Sequence, residues 1–380
     1  MGCAYGGLMS KRVSQRLDEM RPIQRTSDAS GFFANWSGGI QAIKADEHQW
    51  RILPVLTGGR PCANGFYSKA EMQQFLIERG VQFVGFENVS WTNGSYTSSW
   101  SPRIPGRTNF LRGPANLWRS ISSNIRQIRI QPLLDKLDEP TEEGLAAILD
   151  ARTEPERLAQ SIGLSLRNMD ISVRGIFEFY HEELTNLLAH GHTNGTRSAS
   201  MRDQVLFAHI HAFFLHLGSA RDYLATLIAF RLERSAHKTD SLAKLLEVTR
   251  LIDVDRDPLL AMLSSQGYIT QHQKKPSQLQ QAGWLAKATD QRNELTHRRT
   301  YGDVFIEKAG HLTVIDEEAG LFRYTRPMGG SYPASDVFDA ILTHYAKANE
   351  LFCAAAETTK YNTSILTITD DDIVCEEEQK

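Results

Sequence analysis

The spacing of apolar positions changes part-way along the chain. Before about residue 165 they fall in short runs. Arg51-Ile52-Leu53-Pro54-Val55-Leu56 and Val81-Gln82-Phe83-Val84-Gly85-Phe86 are brief, apolar and β-branched, which predicts strands. Between them, Ser68-Lys69-Ala70-Glu71 opens a helix through Glu78, with Ser68 as cap, Glu71 at the reciprocal capping position and Gly80 as stop. Residues 88–114 are rich in Ser, Thr, Asn, Gly and Pro and predict a long loop, functional or mobile. Helical spacing returns over residues 115–137 and 141–151.

From about residue 170 the helical period dominates. Ile176, Phe177, Tyr180, Leu184 and Leu187 or Leu188 share one face. After a polar break at 191–200, residues 202–234 form a long helix with a wide apolar stripe through Ile210, Phe213, Phe214, Leu217, Leu224, Leu227 and Ile228. Thr239, Asp240 and Ser241 offer caps for a helix with Leu242, Leu245, Leu246 and Ile252 on one side. Pro276 and Ser277 precede a helix over 278–299. Phe305-Ile306, 312–315 and 321–325 predict a small β-insertion around the turn at Glu317-Glu318-Ala319-Gly320. A last helix over 334–357 buries Phe338, Ile341, Leu342, Tyr345, Ala348 and Phe352. The pattern predicts an α+β protein: a mixed α/β N-terminal domain over 1–165, sensing or regulatory, then an antiparallel helical bundle with a β-insertion over 166–360, and an acidic tail over 361–380.

Composition narrows the class. At 380 residues, with 41% hydrophobic and 23% charged, the chain can build roughly two cored domains. No run of about 18 apolar residues marks a membrane span. The start, Met1-Gly2-Cys3-Ala4-Tyr5-Gly6-Gly7, lacks a basic head with an apolar core, and Gly6 stands where an acylation signal wants Ser or Thr, so a cytoplasmic location is expected. Cys3, Cys62, Cys353 and Cys375 are scattered without metal spacing and read as reduced thiols. A net charge of −3 argues against a general nucleic-acid coat, though not against a local basic site. Neither a phosphate-binding loop nor a dinucleotide fingerprint occurs, and no cofactor is implied.

One segment combines residue types suited to phosphodiester chemistry: Asp290-Gln291-Arg292-Asn293-Glu294-Leu295-Thr296-His297-Arg298-Arg299. On an α-helix Arg292 and His297 would lie about 140° apart and about 7.5 Å along the axis. Asn293 and His297, four apart, would be neighbours, so Asn293 is positioned to orient the imidazole. Imidazole exchanges protons near neutral pH, and guanidinium matches phosphate oxygens with a fork of donors. Lys274, Lys275, Lys287, Arg298 and Arg299 make the neighbourhood basic.

Arg292-Asn293-Glu294-Leu295-Thr296-His297 resembles the R-x4-6-H motif of HEPN ribonucleases, including the polar residue after the arginine. The long helix carrying His216-Leu217-Gly218-Ser219-Ala220-Arg221-Asp222-Tyr223 before the motif and the apolar helix after it extend the resemblance over roughly 170–360. It implies a homodimer whose two motifs share one cleft, with His297 in acid–base catalysis and Arg292 on the scissile phosphate. The nucleophile would be the 2′-hydroxyl of RNA, tRNA included, with no metal. It also implies a place in toxin or antiphage systems with a neutralising or activating partner. Here Arg299 and not Tyr stands second after the histidine, which departs from the subfamily paired with nucleotidyltransferases.

Supporting residues are also expected. The resemblance implies that Asp222 holds the Arg292 fork toward the phosphate, with Arg298 and Arg299 beside it. Lys287, Arg103 and Arg107 are candidate RNA contacts, the last two from a loop interleaved with Tyr96, Trp100 and Phe110. His209 and His211, two apart, face different sides of their helix and do not form a metal pair. Two other readings stay open: a non-catalytic scaffold of the same bundle, and a helical signalling module unrelated to it.

Overall fold

The computed structural model describes residues 29–54, 65–92, 95–106, 112–136, 141–235, 239–329 and 335–364. The chain is α+β, and the described residues begin with an antiparallel sheet. Its strands are β1 (Ala29–Trp36), β2 (Gln41–Lys44) and β3 (Trp50–Leu53), then, after helix α1 (Lys69–Glu78), β4 (Phe83–Thr92) and β5 (Ser95–Pro102). They lie in the order β3-β2-β1-β4-β5. Helix α1 starts where the sequence places it: Ser68 Oγ accepts from the Glu71 amide and the Glu71 carboxylate accepts from the Ser68 amide.

Residues 88–114 are not one long loop. β4 and β5 pair from Gly85↔Pro102 to Thr92↔Ser95. Their Ser and Thr residues suit the polar face of a sheet, while Phe86 and Trp100 point into the core. Trp100 is therefore withdrawn from any stacking role. Val55, Leu56, Arg107, Phe110 and most of the acidic tail lie outside the described residues.

Four long helices among the described residues make the bundle: α2 (Pro114–Leu134), α4 (Glu154–Ala189), α5 (Asp203–Arg231) and α10 (Val337–Thr358), with short α3 (Glu142–Asp150) between the first two. Paired contacts give their directions. Asn116 meets Arg167 while Ser122 meets Glu156, so α2 and α4 are antiparallel. Glu182 and Glu183 meet Arg202 and Ser198 while Gly175 lies against His209, so α4 and α5 are antiparallel. Tyr345 bonds Asp170 and Phe338 lies on Tyr180, so α10 also runs against α4.

Between α5 and α10 the chain forms α6 (Leu242–Val248), α7 (Leu251–Arg256), α8 (Pro258–Ser265), the hairpin β7 (Ile269–His272)/β8 (Lys275–Gln281), helix α9 (Gly283–Asn293) and strands β9 (Gly310–Asp316) and β10 (Leu321–Thr325). β9 and β10 pair as the sequence predicts and take the two-residue strand β6 (Arg197–Ser198) as a third member. Phe305-Ile306 form a 3-10 turn (Phe305–Lys308) and no strand.

Two helix boundaries differ from expectation. α6 stops at Val248, and Ile252 on α7 is 67% exposed, off the stripe assigned to it. Residues 275–281 form β8 and no helix. α9 begins only at Gly283, where φ is 56° and a Cβ would stand 2.8 Å from the Gly267 carbonyl oxygen, so a side chain is excluded.

Sheet and bundle share one continuous core, so residue 165 is not a boundary; it lies inside the 36-residue helix α4, and α2 already belongs to the bundle. Trp100 Nε1 donates to Tyr345 Oη at 3.2 Å, and that hydroxyl donates to Asp170 Oδ1 at 2.5 Å. Burial pushes the Asp170 carboxyl up to about 7. Among the described residues no helix is long and apolar enough to cross a membrane.

The turn after β1 touches the bundle directly at Gly39. Its φ is 81°, and a Cβ there would stand 2.4 Å from the Tyr180 carbonyl oxygen and 2.8 Å from the His181 nitrogen. Neither backbone can yield without moving a core helix. Gly39→Ala is expected to cost about 2–4 kcal/mol in urea denaturation, from left-handed strain plus overpacking. A loss below about 0.5 kcal/mol would show that the contact does not join the two layers.

Candidate functional site

The Arg-Asn-x-x-x-His segment begins on α9 and ends in a different helix type. Glu294–Arg298 form a π turn, closed by the Arg299 amide donating to the Glu294 carbonyl at 2.9 Å, five residues back. The widening starts between Arg292 and His297, so the separation of about 140° on a continuous α-helix does not apply to the pair. Thr296 Oγ1 donates to the Arg292 carbonyl at 2.7 Å and supports the widened turn.

Arg292 lies half-buried against α5. Gly218 makes room for it: a Cβ there would stand 3.0 Å from Arg292 Nε and 3.5 Å from Cζ. Arg292 Nη1 donates to Asn293 Oδ1 at 3.3 Å, while Nε is buried with no hydrogen-bond partner. Asn293 thus orients the arginine and not His297, correcting the expectation from four-residue spacing. The imidazole of His297 is exposed to solvent.

Two neighbouring arginines are satisfied by carboxylates. Arg221, buried on α5, donates to Asp222 Oδ1 from Nε (3.2 Å) and Nη2 (3.1 Å), and to Thr289 Oγ1 from Nη1 (2.6 Å). Asp222 Oδ1 also accepts from the Leu242 amide at 3.2 Å. Asp222 therefore serves Arg221 and the start of α6, and the expected Asp222–Arg292 pair does not form. Arg299 is likewise withdrawn: its Nε donates to Glu294 Oε1 (2.9 Å) and its Nη1 to Glu307 Oε1 (2.5 Å). It fixes the turn and does not face a ligand. Arg298 and Lys287 are exposed beside the motif, as is Asp290.

Beneath the turn lies a buried polar network that the sequence does not announce. Glu307, fully buried, accepts from Arg299 on one oxygen and from the Gly302 amide (2.8 Å) on the other. Arg326 is 0% exposed. It grips Asp203 with both Nη atoms (3.0 and 2.6 Å) and reaches the carbonyls of Glu307 (3.0 Å) and Lys308 (2.9 Å). Tyr301 is held at both ends, its hydroxyl donating to the Pro327 carbonyl (2.6 Å) and its amide to His211 Nε2 (3.0 Å). Burial lowers the pKa of His211, which keeps that nitrogen an acceptor. His211 is thus a structural anchor of the motif's downstream end.

The other side of α9 is clamped to α10. Trp284 Nε1 donates to His344 Nδ1 at 2.9 Å, and His344 Nε2 meets Gln291 Oε1 at 2.5 Å. The residue before the motif's arginine is therefore fixed by a neutral imidazole. Burial lowers His344 to about 4.

Arg103 does not join this site. It is exposed at the end of β5, and its carbonyl accepts from Asn349 Nδ2 at 3.2 Å; it borders a separate cavity of about 210 Å³ with Gln82 and Lys347. Arg107 lies outside the described residues. His209 packs against Gly175 on α4. Among the described residues, no group of three His, Cys, Asp or Glu side chains is placed to hold a metal ion. Comparison with protein-family models, with curated proteins and with solved structures returns no match.

Two measurements test this framework. His344 has a depressed folded pKa, so its contribution is full above its ordinary value of 6.5 and is lost as pH falls toward 4. Between pH 7 and pH 4 wild type is expected to lose about 2–3 kcal/mol more stability than His344→Gln. Parallel stability curves would contradict a buried neutral ring. For the network, Arg326→Met leaves Asp203 buried and unpaired, with an expected cost of about 3–5 kcal/mol; adding Asp203→Leu should recover most of it. An additive double mutant would mean that the two side chains do not act as a pair.

Proposed function

We propose that Arg292 and His297 form half of a metal-independent ribonuclease site of HEPN type, completed by a second copy of the chain. The observation that supports this reading best is that, among the described residues, the Arg292 guanidinium has no acidic partner and donates only to Asn293 Oδ1. It is half-buried on Gly218 with a partnerless Nε, while Arg221, Arg299 and Arg326 around it are held by carboxylates. A cation left without an acidic partner, in a segment anchored at both ends, is suited to an incoming phosphate. His297 stands exposed five residues on, with Lys287 and Arg298 adding positive charge.

In the proposed reaction the 2′-hydroxyl oxygen of RNA forms a bond to the adjacent phosphorus and gives up its proton to a base. The phosphorus–5′-oxygen bond breaks, and that oxygen leaves with a proton from an acid. The products are a 2′,3′-cyclic phosphate and a 5′-hydroxyl end. One imidazole acts as base and the partner copy's as acid, while Arg292 offsets charge on the phosphoryl oxygens. DNA, lacking the 2′-hydroxyl, is not a substrate.

A second copy is supported by exposed apolar side chains on the two segments that Arg326 ties together. Met201, just before α5, is 91% exposed, and Phe305 in the 3-10 turn is 80% exposed, with Val205 and Ile306 also outward. A role in toxin or antiphage systems, and an RNA such as tRNA as target, belong to this proposal through the motif resemblance.

The test is cleavage of labelled RNA in EDTA by wild type, His297→Ala and Gly218→Ala. His297→Ala is expected to lose at least about a hundredfold in rate with oligomeric state unchanged. Gly218→Ala displaces only the far end of Arg292 and should lower the rate while leaving the melting temperature within a few degrees. Equal cleavage by wild type and His297→Ala, or none by either, would favour the non-catalytic scaffold.

A further inference from the structure

A second cationic site lies between α2 and α4. The two antiparallel helices part to leave a cleft of about 430 Å³, within the size range of small-molecule sites. Each helix contributes one stripe: Ala115, Arg119, Ser122 and Arg126 from α2, and Glu156, Gln160, Gly163 and Arg167 from α4. Residues 115 to 126 span about 16 Å along the helix axis. Gly163 sets the depth, since a Cβ there would stand 3.2 Å from the Arg119 amide and 3.4 Å from the Ala115 carbonyl.

The charge in this cleft is one-sided. Among the described residues neither Arg119 nor Arg126 has an ion pair, and Arg167 Nη2 donates to the neutral Asn116 Oδ1, at 2.8 Å. The one carboxylate on the wall, Glu156, is almost fully buried and already accepts from Arg129 Nε at 3.1 Å. Arg129 itself keeps Nη2 buried without a partner. Among the described residues three arginines therefore line one cleft whose single acidic lining residue, Glu156, is already engaged by Arg129. A multiply charged phosphate chain matches such a set of cationic forks.

We infer that the α2–α4 cleft binds a compact polyphosphate ligand of nucleotide size, with Arg119, Arg126 and Arg167 on its phosphates. Arg119 and Arg126 are about 10 Å apart along α2, which suits a chain of phosphates better than a single one. The exposed side chain of Leu164 provides an apolar rim for a base or sugar. Among the described residues no aromatic side chain borders the cleft, and that disfavours single-stranded RNA, whose bases seek stacking partners. This site is built from other helices than the Arg292 segment and does not depend on the ribonuclease reading.

Calorimetric titration of the full chain with ATP, and with inorganic tripolyphosphate, without divalent cations, tests the inference. Both are expected to bind wild type, and Arg119→Glu/Arg126→Glu should weaken them at least about tenfold. Ser123 also lines the cleft, and Ser123→Glu, which adds a carboxylate there and keeps every arginine, should weaken them as well. Arg256→Glu, with a side chain 71% exposed elsewhere, should bind as wild type does. No binding of either probe by wild type, or equal binding by the cleft variants, overturns the proposal. Loss of RNA binding in Arg119→Glu/Arg126→Glu, with no ATP binding by wild type, overturns it in favour of a nucleic-acid groove.

Discussion

The buried pair of Arg326 and Asp203 governs the geometry of the candidate site. Its guanidinium joins the first turn of α5 to the carbonyls of Glu307 and Lys308 and so to the turn that follows the motif. Glu307 passes the constraint on through Arg299 to Glu294, the first residue of the π turn. A buried ion pair contributes modest net stability, because desolvation offsets most of its attraction. Its effect is geometric, since an unpaired charge in the core would be far more costly than any alternative packing is favourable. The widened turn is held in place by charges whose only acceptable positions are these.

Against that fixed background Arg292 stands apart. Short side chains and carboxylates satisfy its neighbours, while Gly218 gives it a flat seat and leaves its Nε without a partner. His344 and His211 are histidines of another kind from the motif's own. Both have pKa values lowered by burial, and both act as neutral hydrogen-bonding struts at the two ends of the segment. Of the three, His297 alone is exposed to solvent. The division is physical: burial removes the charge change that acid–base work requires.

Much of the helical architecture is legible in local pattern. The stripe of α10, the apolar face of α5 and the capping box of α1 all read directly because periodicity and caps are local properties. The β4–β5 hairpin does not read so easily, since its outward positions are Ser and Thr and resemble a loop. The Asn93-Gly94 pair between its two runs of aromatic and β-branched residues was the available signal. At the site, the Arg-Asn-x-x-x-His segment is visible as a motif, but its shape is not. The π turn, the diversion of Asp222 to Arg221 and the withdrawal of Arg299 depend on Glu307 and Arg326, residues remote or unremarkable in sequence. The arginines of the α2–α4 cleft share its walls only because two distant helices pack together, and no spacing along the chain reveals them.

In the proposed function Arg292, held by no carboxylate among the described residues, receives the phosphodiester. The most direct measurement is the Nε–H resonance of Arg292, assigned through Arg292→Lys, during titration with a 2′-O-methyl oligoribonucleotide that cannot be cleaved. This resonance is expected to move with the binding curve while those of Arg299 and Arg326 stay in place. A saturating titration that leaves Arg292 unmoved would contradict that role.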